Sequence, residues 1–208
     1  MIAEQFLLGH PVFDTYEFAT ATGMRRDVAS RYLSRKAKEG LLQAITRGVW
    51  GNRHHYNFSI FGAVPYLLGH EHGYVSFISA LSRHGVISQI PQVLTIATTG
   101  HSRSLQSPLG AFEFLKLKAD YMIGGVDWHS QGLSPYSMAS PEKALLDCLY
   151  ISTRRGKRFS YFSEVDFTLI RKRTFHQLLR LHAYPAPIEH AMKERFDHLL
   201  ATYPVGTV

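Results

Sequence analysis

Two glycines, Gly23 and Gly40, bracket a sixteen-residue run that holds six Lys and Arg residues against Asp27 and Glu39. A glycine just past a helical pattern supplies the left-handed residue that ends a helix. The run therefore reads as one helix over Arg26–Glu39, entered through a tight turn from a shorter helix over Thr15–Thr22. Val28, Ala29, Leu33 and Ala37 recur on one face, with Tyr32 at its margin. Ser30, Arg31, Ser34, Arg35 and Lys38 fall largely on the other. Asp27 in the first turn and Lys36 and Lys38 in the last suit the helix dipole. Two short strands, Leu41–Ile45 and Val49–Trp50, follow around a Thr46-Arg47-Gly48 turn.

The charge is placed as unevenly as the glycines. The chain of 208 residues carries a formal +7. Residues 24–53 hold eight Lys/Arg against two acids, and residues 154–180 hold another eight against two. The remainder is net acidic. Two basic islands on an acidic chain point to contact with a polyanion more strongly than a diffuse excess does.

In the first island the pattern is that of a helix-turn-helix with a wing. Such a unit lays its second helix in the DNA major groove while cations at both ends hold phosphates. Arg31 and Arg35, one turn apart, can each pair bidentately with guanine, with Ser30 and Ser34 as smaller partners. Arg25 and Arg26 open the helix, where N–H groups and side chains meet a phosphate together. Lys38 closes it, Arg47 occupies the wing tip, and Arg53 follows the hairpin. The plain alternative is a structural helical hairpin with a basic surface. The polar stretch Gly51–His55 suits a junction, so the chain divides into a DNA-binding unit over 1–53 and a larger unit over 54–208.

The larger unit alternates strand and helix signals. Val93–Thr98 is β-branched and reads as a buried strand. Ala111–Lys118 is strand-like with a slip between Phe114 and Leu115, the mark of a bulge. Ser76–His84 reads as a helix stopped by Gly85, its Ser76 and Ser79 allowing close packing and Arg83 and His84 capping the last carbonyls. Ser140–Ile151 reads as another, N-capped by Ser140 with Pro141 at its first position. Ile188, Met192, Phe196 and Leu199/Leu200 mark a last one. The expected class is α+β, with a mixed sheet flanked by helices. Lys143 either pairs with Asp147 one turn away or belongs to an interaction surface with Arg154, Arg155, Lys157 and Arg158 of the second island.

Gly23–Arg35 and Lys38–Trp50 together resemble the winged helix of the AbiEi-type antitoxins of abortive-infection, type IV toxin–antitoxin operons. Gly73–Gly85 resembles that family's segment of aromatic, Ser, Ala-Leu and His-Gly, and Ser140–Asp147 its Glu-Lys-Ala-Leu-Leu-Asp helix. The resemblance covers residues 15–165. It implies a winged helix that binds inverted repeats in its own promoter and represses the operon. It also implies a C-terminal domain that counters a co-encoded nucleotidyltransferase toxin, bound directly or not. Neither role calls for a cofactor.

Enzymatic readings have less to stand on. His70-Glu71-His72 lacks a third metal ligand, and the serines near His84 lack a Gly-x-Ser-x-Gly elbow. Glu113, Asp120 and Asp127 with Lys116 invite comparison with metal-dependent nucleases, although Glu113 and Lys116 would point to opposite faces of a regular strand. A nuclease-like domain directed to DNA by the wing is the rival reading. A plain regulator with a dimerising or ligand-sensing domain is a third. Gly124-Gly125 matches no phosphate loop. Cys148 is the single cysteine and cannot form an internal disulfide. With no leader legible at the start and no apolar run of membrane length, a cytoplasmic protein is expected.

Overall fold

The stretch from Thr15 to Gly51 folds much as its glycines dictate. The computed structural model describes residues 2–131, 134–156 and 165–202. It begins with α1 (Ile2–Gly9) and β1 (Val12–Asp14), followed by α2 (Thr15–Thr22) and α3 (Arg26–Lys38). The hairpin is β2 (Gln43–Thr46) and β3 (Val49–Gly51). Asp14 and Glu17 cap the start of α2 reciprocally: each side chain accepts the other's backbone N–H, at 2.7 and 3.1 Å. Gly23 at φ 70° ends α2, and Gly40 at φ 79° follows α3. Both are left-handed conformations that a side chain would strain.

β1 and β2 pair antiparallel with β3 from either side, giving a three-stranded sheet in the order β1-β3-β2. One face of this sheet, with Phe13 and Trp50, packs on Phe6, Phe18, Ala29 and Leu33 of the three helices. The other face, with Val12, Ile45 and Val49, belongs to the core of the rest of the molecule. Gly51 lies so close to Leu109 and Phe58 that a Cβ there would stand 2.9 and 3.0 Å from them. His55 donates to Leu8 O at 2.8 Å, and the Asn52 amide donates to Pro11 O at 2.8 Å. The junction expected over Gly51–His55 is thus hydrogen-bonded back onto the N-terminal helix.

Beyond it run α4 (Val64–Leu68), β4 (Gly73–Val75), α5 (Phe77–Arg83) and β5 (Val93–Thr98). Then come β6 (Arg103–Ser107), β7 (Gly110–Lys116), β8 (Val126–Gln131) and β9 (Ser134–Ala139). The chain continues through α6 (Pro141–Arg155), α7 (Lys172–Leu181) and α8 (Ala186–Thr202). The six strands form a mixed sheet in the order β6-β7-β5-β4-β9-β8, with parallel pairs β5/β7 and β4/β9. The class is α+β. Ser140 caps α6 through the Lys143 amide at 3.3 Å, with Pro141 behind it.

Three local expectations are corrected. β7 keeps an unbroken register with β5 from Ala111 to Lys116, so no bulge separates Phe114 from Leu115; both are buried because the two faces of the strand are covered. Val28 is exposed, and the buried stripe of α3 narrows to Ala29 and Leu33. His84 does not cap its own helix through its ring: Nε2 reaches across to Ala139 O at 2.8 Å.

Candidate functional site

On α3 the outward face holds Arg25, Arg26, Ser30, Arg31, Arg35 and Lys38, all exposed, with Ser34 half-buried. Their arrangement follows from what the opposite face buries: Ala29 and Leu33 lock the helix onto Phe18, and Tyr32 stacks on Phe18 with ring centroids 5.5 Å apart. The cations are organised by two carboxylates. Asp27 accepts from Arg31 at 3.2 Å and lies 3.2 Å from Arg25 Nε; Glu39 accepts from Lys36 at 2.8 Å and lies 3.7 Å from Arg35 Nε. The hydrogen bond from Lys36 holds Glu39 below the usual carboxylate range and raises Lys36 in return. Arg31 and Arg35 remain 76% and 65% exposed, so their pairs lie in high dielectric and yield readily to a competing anion.

Arg47 projects from the tip of the β2–β3 hairpin and is exposed. The tip is stapled to the start of α2. Thr15 donates to Gly48 O through both its amide (2.9 Å) and its hydroxyl (3.2 Å), and that hydroxyl accepts from Trp50 Nε1 at 2.9 Å. Gly48 itself sits at φ 82°. Thr15 was legible only as the first residue of a helix; nothing in its local pattern shows that it anchors a hairpin 33 residues away. Arg53 is exposed beside the C-terminal end of α3, sharing a groove with Ala37, Gly40 and Pro108.

The second basic island is not one patch. Arg171 opens α7 beside the start of α6, where its Nε donates to Glu142 at 2.8 Å. Arg154 and Arg155 lie at the other end of α6, exposed, with Arg155 3.5 Å from Ser102 Oγ. A dozen helical residues put these ends roughly 18 Å apart. Ser102 in turn precedes β6, whose far end reaches the N-terminal unit through Leu109. Arg155 is therefore about 20 Å along that strand from the small sheet. Lys157 and Arg158 lie outside the described residues.

Lys143 overturns the idea of an interaction surface at that position, for it is fully buried. All eleven residues from Glu142 to Ser152 are buried, so α6 is covered on every side. Lys143 Nζ donates to Asp147 Oδ1 and, at 2.7 Å, to Tyr121 O. Asp147 Oδ2 accepts from Tyr74 OH at 3.0 Å and from Ser76 Oγ at 2.7 Å. Burial pulls the Lys143 ammonium below its ordinary range against the pull of Asp147, and pushes the Tyr74 phenol well up. His182, also buried, donates to Ile123 O at 2.7 Å; burial and the nearby ammonium depress its basicity. Glu142 is raised by burial and lowered further by hydrogen bonds from Arg171, ending below the usual carboxylate range. The serines read as packing aids use their hydroxyls fully: Ser79 bonds Val93 O and Thr95.

The carboxylates compared with nuclease clusters are not brought together. Glu113 on β7 and Asp127 on β8 are separated by β5, β4 and β9, roughly 19 Å at ordinary strand spacing. Glu71 is held by Arg103 at 2.8 Å and Thr98 at 2.8 Å rather than offered between its histidines. Among the described residues no three His, Cys, Asp or Glu side chains group as metal ligands, and no helix is long and apolar enough to cross a membrane. No protein-family model and no curated protein matches the chain.

Proposed function

We propose that the protein binds double-stranded DNA as a winged helix-turn-helix, with α3 in the major groove and the β2–β3 hairpin as the wing. The carrying observation is that Arg25, Arg26, Arg31, Arg35 and Lys38 all stand exposed on a helix whose other face is locked by Ala29 and Leu33. Arg31 and Arg35 read base edges, Ser30 and Ser34 adjust to them, and Arg25, Arg26, Lys38, Arg47 and Arg53 hold phosphates. Extended by the resemblance to AbiEi-type antitoxins, the reading is a cytoplasmic repressor. It binds inverted repeats in its own promoter, and its larger part neutralises a co-encoded nucleotidyltransferase toxin.

Selection of bound duplexes from a random pool tests the first half. A recovered consensus whose guanines lose their preference in Arg31→Ala or Arg35→Ala supports the recognition helix; a pool with no consensus, or one unchanged in both variants, overturns it. Co-expression with the neighbouring toxin tests the second half, and failure of the full chain to restore growth refutes the antitoxin role.

A further inference from the structure

We infer that Thr15 is a positioning residue for the wing: it sets where Arg47 meets the DNA backbone while touching no DNA itself. This rests on the DNA-binding reading. Thr15 is buried, at 6% exposure, beneath a two-residue turn, directly after Asp14, which pairs with Val49 in the β1–β3 ladder. Two donors from Thr15 converge on one acceptor, Gly48 O, and its hydroxyl oxygen also receives the Trp50 indole N–H. Gly48 is the residue directly after Arg47, so holding its carbonyl fixes the Gly48–Val49 peptide and with it the returning side of the turn, one residue from the arginine. The other end of the linkage is equally firm. Thr15 begins α2, whose start is capped by Asp14 and Glu17, and α2 is joined to α3 through the Phe18–Tyr32 stack. Arg47 is therefore referenced to the recognition helix through Thr15, whose amide holds Gly48 O and whose hydroxyl ties that same carbonyl to the Trp50 indole. A free hairpin tip would leave a long, exposed arginine to sample many positions, and each would dilute its phosphate contact.

Thr15→Val keeps the shape and the backbone bond but deletes the hydroxyl. Full-length variants are titrated with a mixed-sequence duplex of three helical turns at several salt concentrations, alongside thermal midpoints. Expected for Thr15→Val is a loss of about fivefold, the size of one exposed cation–phosphate contact, and a salt slope shallower by about one. Arg47→Ala should match both values, and the double variant should be no weaker than Arg47→Ala alone. Thr15→Ser should restore binding. Thr15→Ala replaces Thr15→Val where the latter does not fold. A Thr15→Val protein with the wild-type slope, or a double variant that loses the product of both single effects, overturns the positioning role and leaves DNA binding intact. Absence of salt-dependent duplex binding by the wild type overturns the DNA reading, and the inference with it.

Discussion

Helices α3 and α6 each carry a cation and a carboxylate one turn apart, Asp27/Arg31 in one and Lys143/Asp147 in the other, and their surroundings make them opposites. On α3 both partners face solvent, 53% and 76% exposed, and water carries most of their charge. On α6 both are buried, and the pair is hydrogen-bonded further by Tyr74, Ser76 and the Tyr121 carbonyl. An exposed pair can be exchanged for another anion at little cost. A buried pair cannot lose a member without stranding the other charge. The same spacing thus yields a surface open to a ligand in one helix and a structural lock in the other.

Lys143→Met strikes the contrast hardest. It should destabilise the fold by ~3–5 kcal/mol in denaturant titration, because Asp147 is left buried without its cation. Adding Asp147→Leu should recover part of that loss; destabilisation below ~1 kcal/mol in the single variant would remove the lock. Arg31→Ala and Arg35→Ala should each weaken specific DNA binding by ~1–3 kcal/mol while the unfolding midpoint stays put.

Acid should separate the helices next. His182 is less basic folded than unfolded, so protons favour the unfolded chain and stability falls as pH drops below ~6.5, by up to ~1.4 kcal/mol per pH unit. Glu142, depressed in the fold, adds a second loss below ~4.5 that continues through its lowered value. His182→Gln should reduce the first decline to the part left by His129, whose basicity burial and His84 also lower, and a wild type equally stable at pH 7 and pH 5 would contradict the buried-histidine account. The smallest effect belongs to Asp27→Asn. Stability should change by less than ~1 kcal/mol, and duplex binding should tighten slightly as a carboxylate near the phosphates disappears. Weaker binding would mean that Asp27 orients Arg31 rather than restraining it.

The helices and hairpin between Thr15 and Trp50 were legible because glycine conformations and helical spacing are local properties. Pro141 and Ser140 announced α6 for the same reason. α1 and β1 were not anticipated: a three-residue strand is too short to show alternation, and Val12–Asp14 becomes a strand only because β3 lies beside it. Lys143 illustrates the deeper obstacle. Its i,i+4 partner could be read directly, but its burial depends on Tyr74, Ser76 and Tyr121, which come from strands and turns distant in sequence. The placement of the second basic island was hidden for a like reason. Its charges belong to one stretch of the chain, yet Arg155 ends α6 while Arg171, at the start of α7, lies beside the opposite end of α6. The exposure of the α3 cations follows from helical spacing, whereas the hydroxyl that anchors the β2–β3 hairpin was hidden by 33 residues of intervening chain.

The small sheet is finished on one side long before the other. During synthesis α1, α2 and α3 can cover Phe13 and Trp50 as soon as Gly51 has emerged, but Val12, Ile45 and Val49 wait for the chain that follows. Leu109, which packs at Gly51, arrives several seconds later at the usual ~5–20 residues per second. For that interval the nascent unit presents an apolar sheet face, the kind of surface that attracts chaperones and stray copies. Closure of that face then depends on how quickly Phe58, Tyr66 and finally the β6–β7 hairpin fold over it.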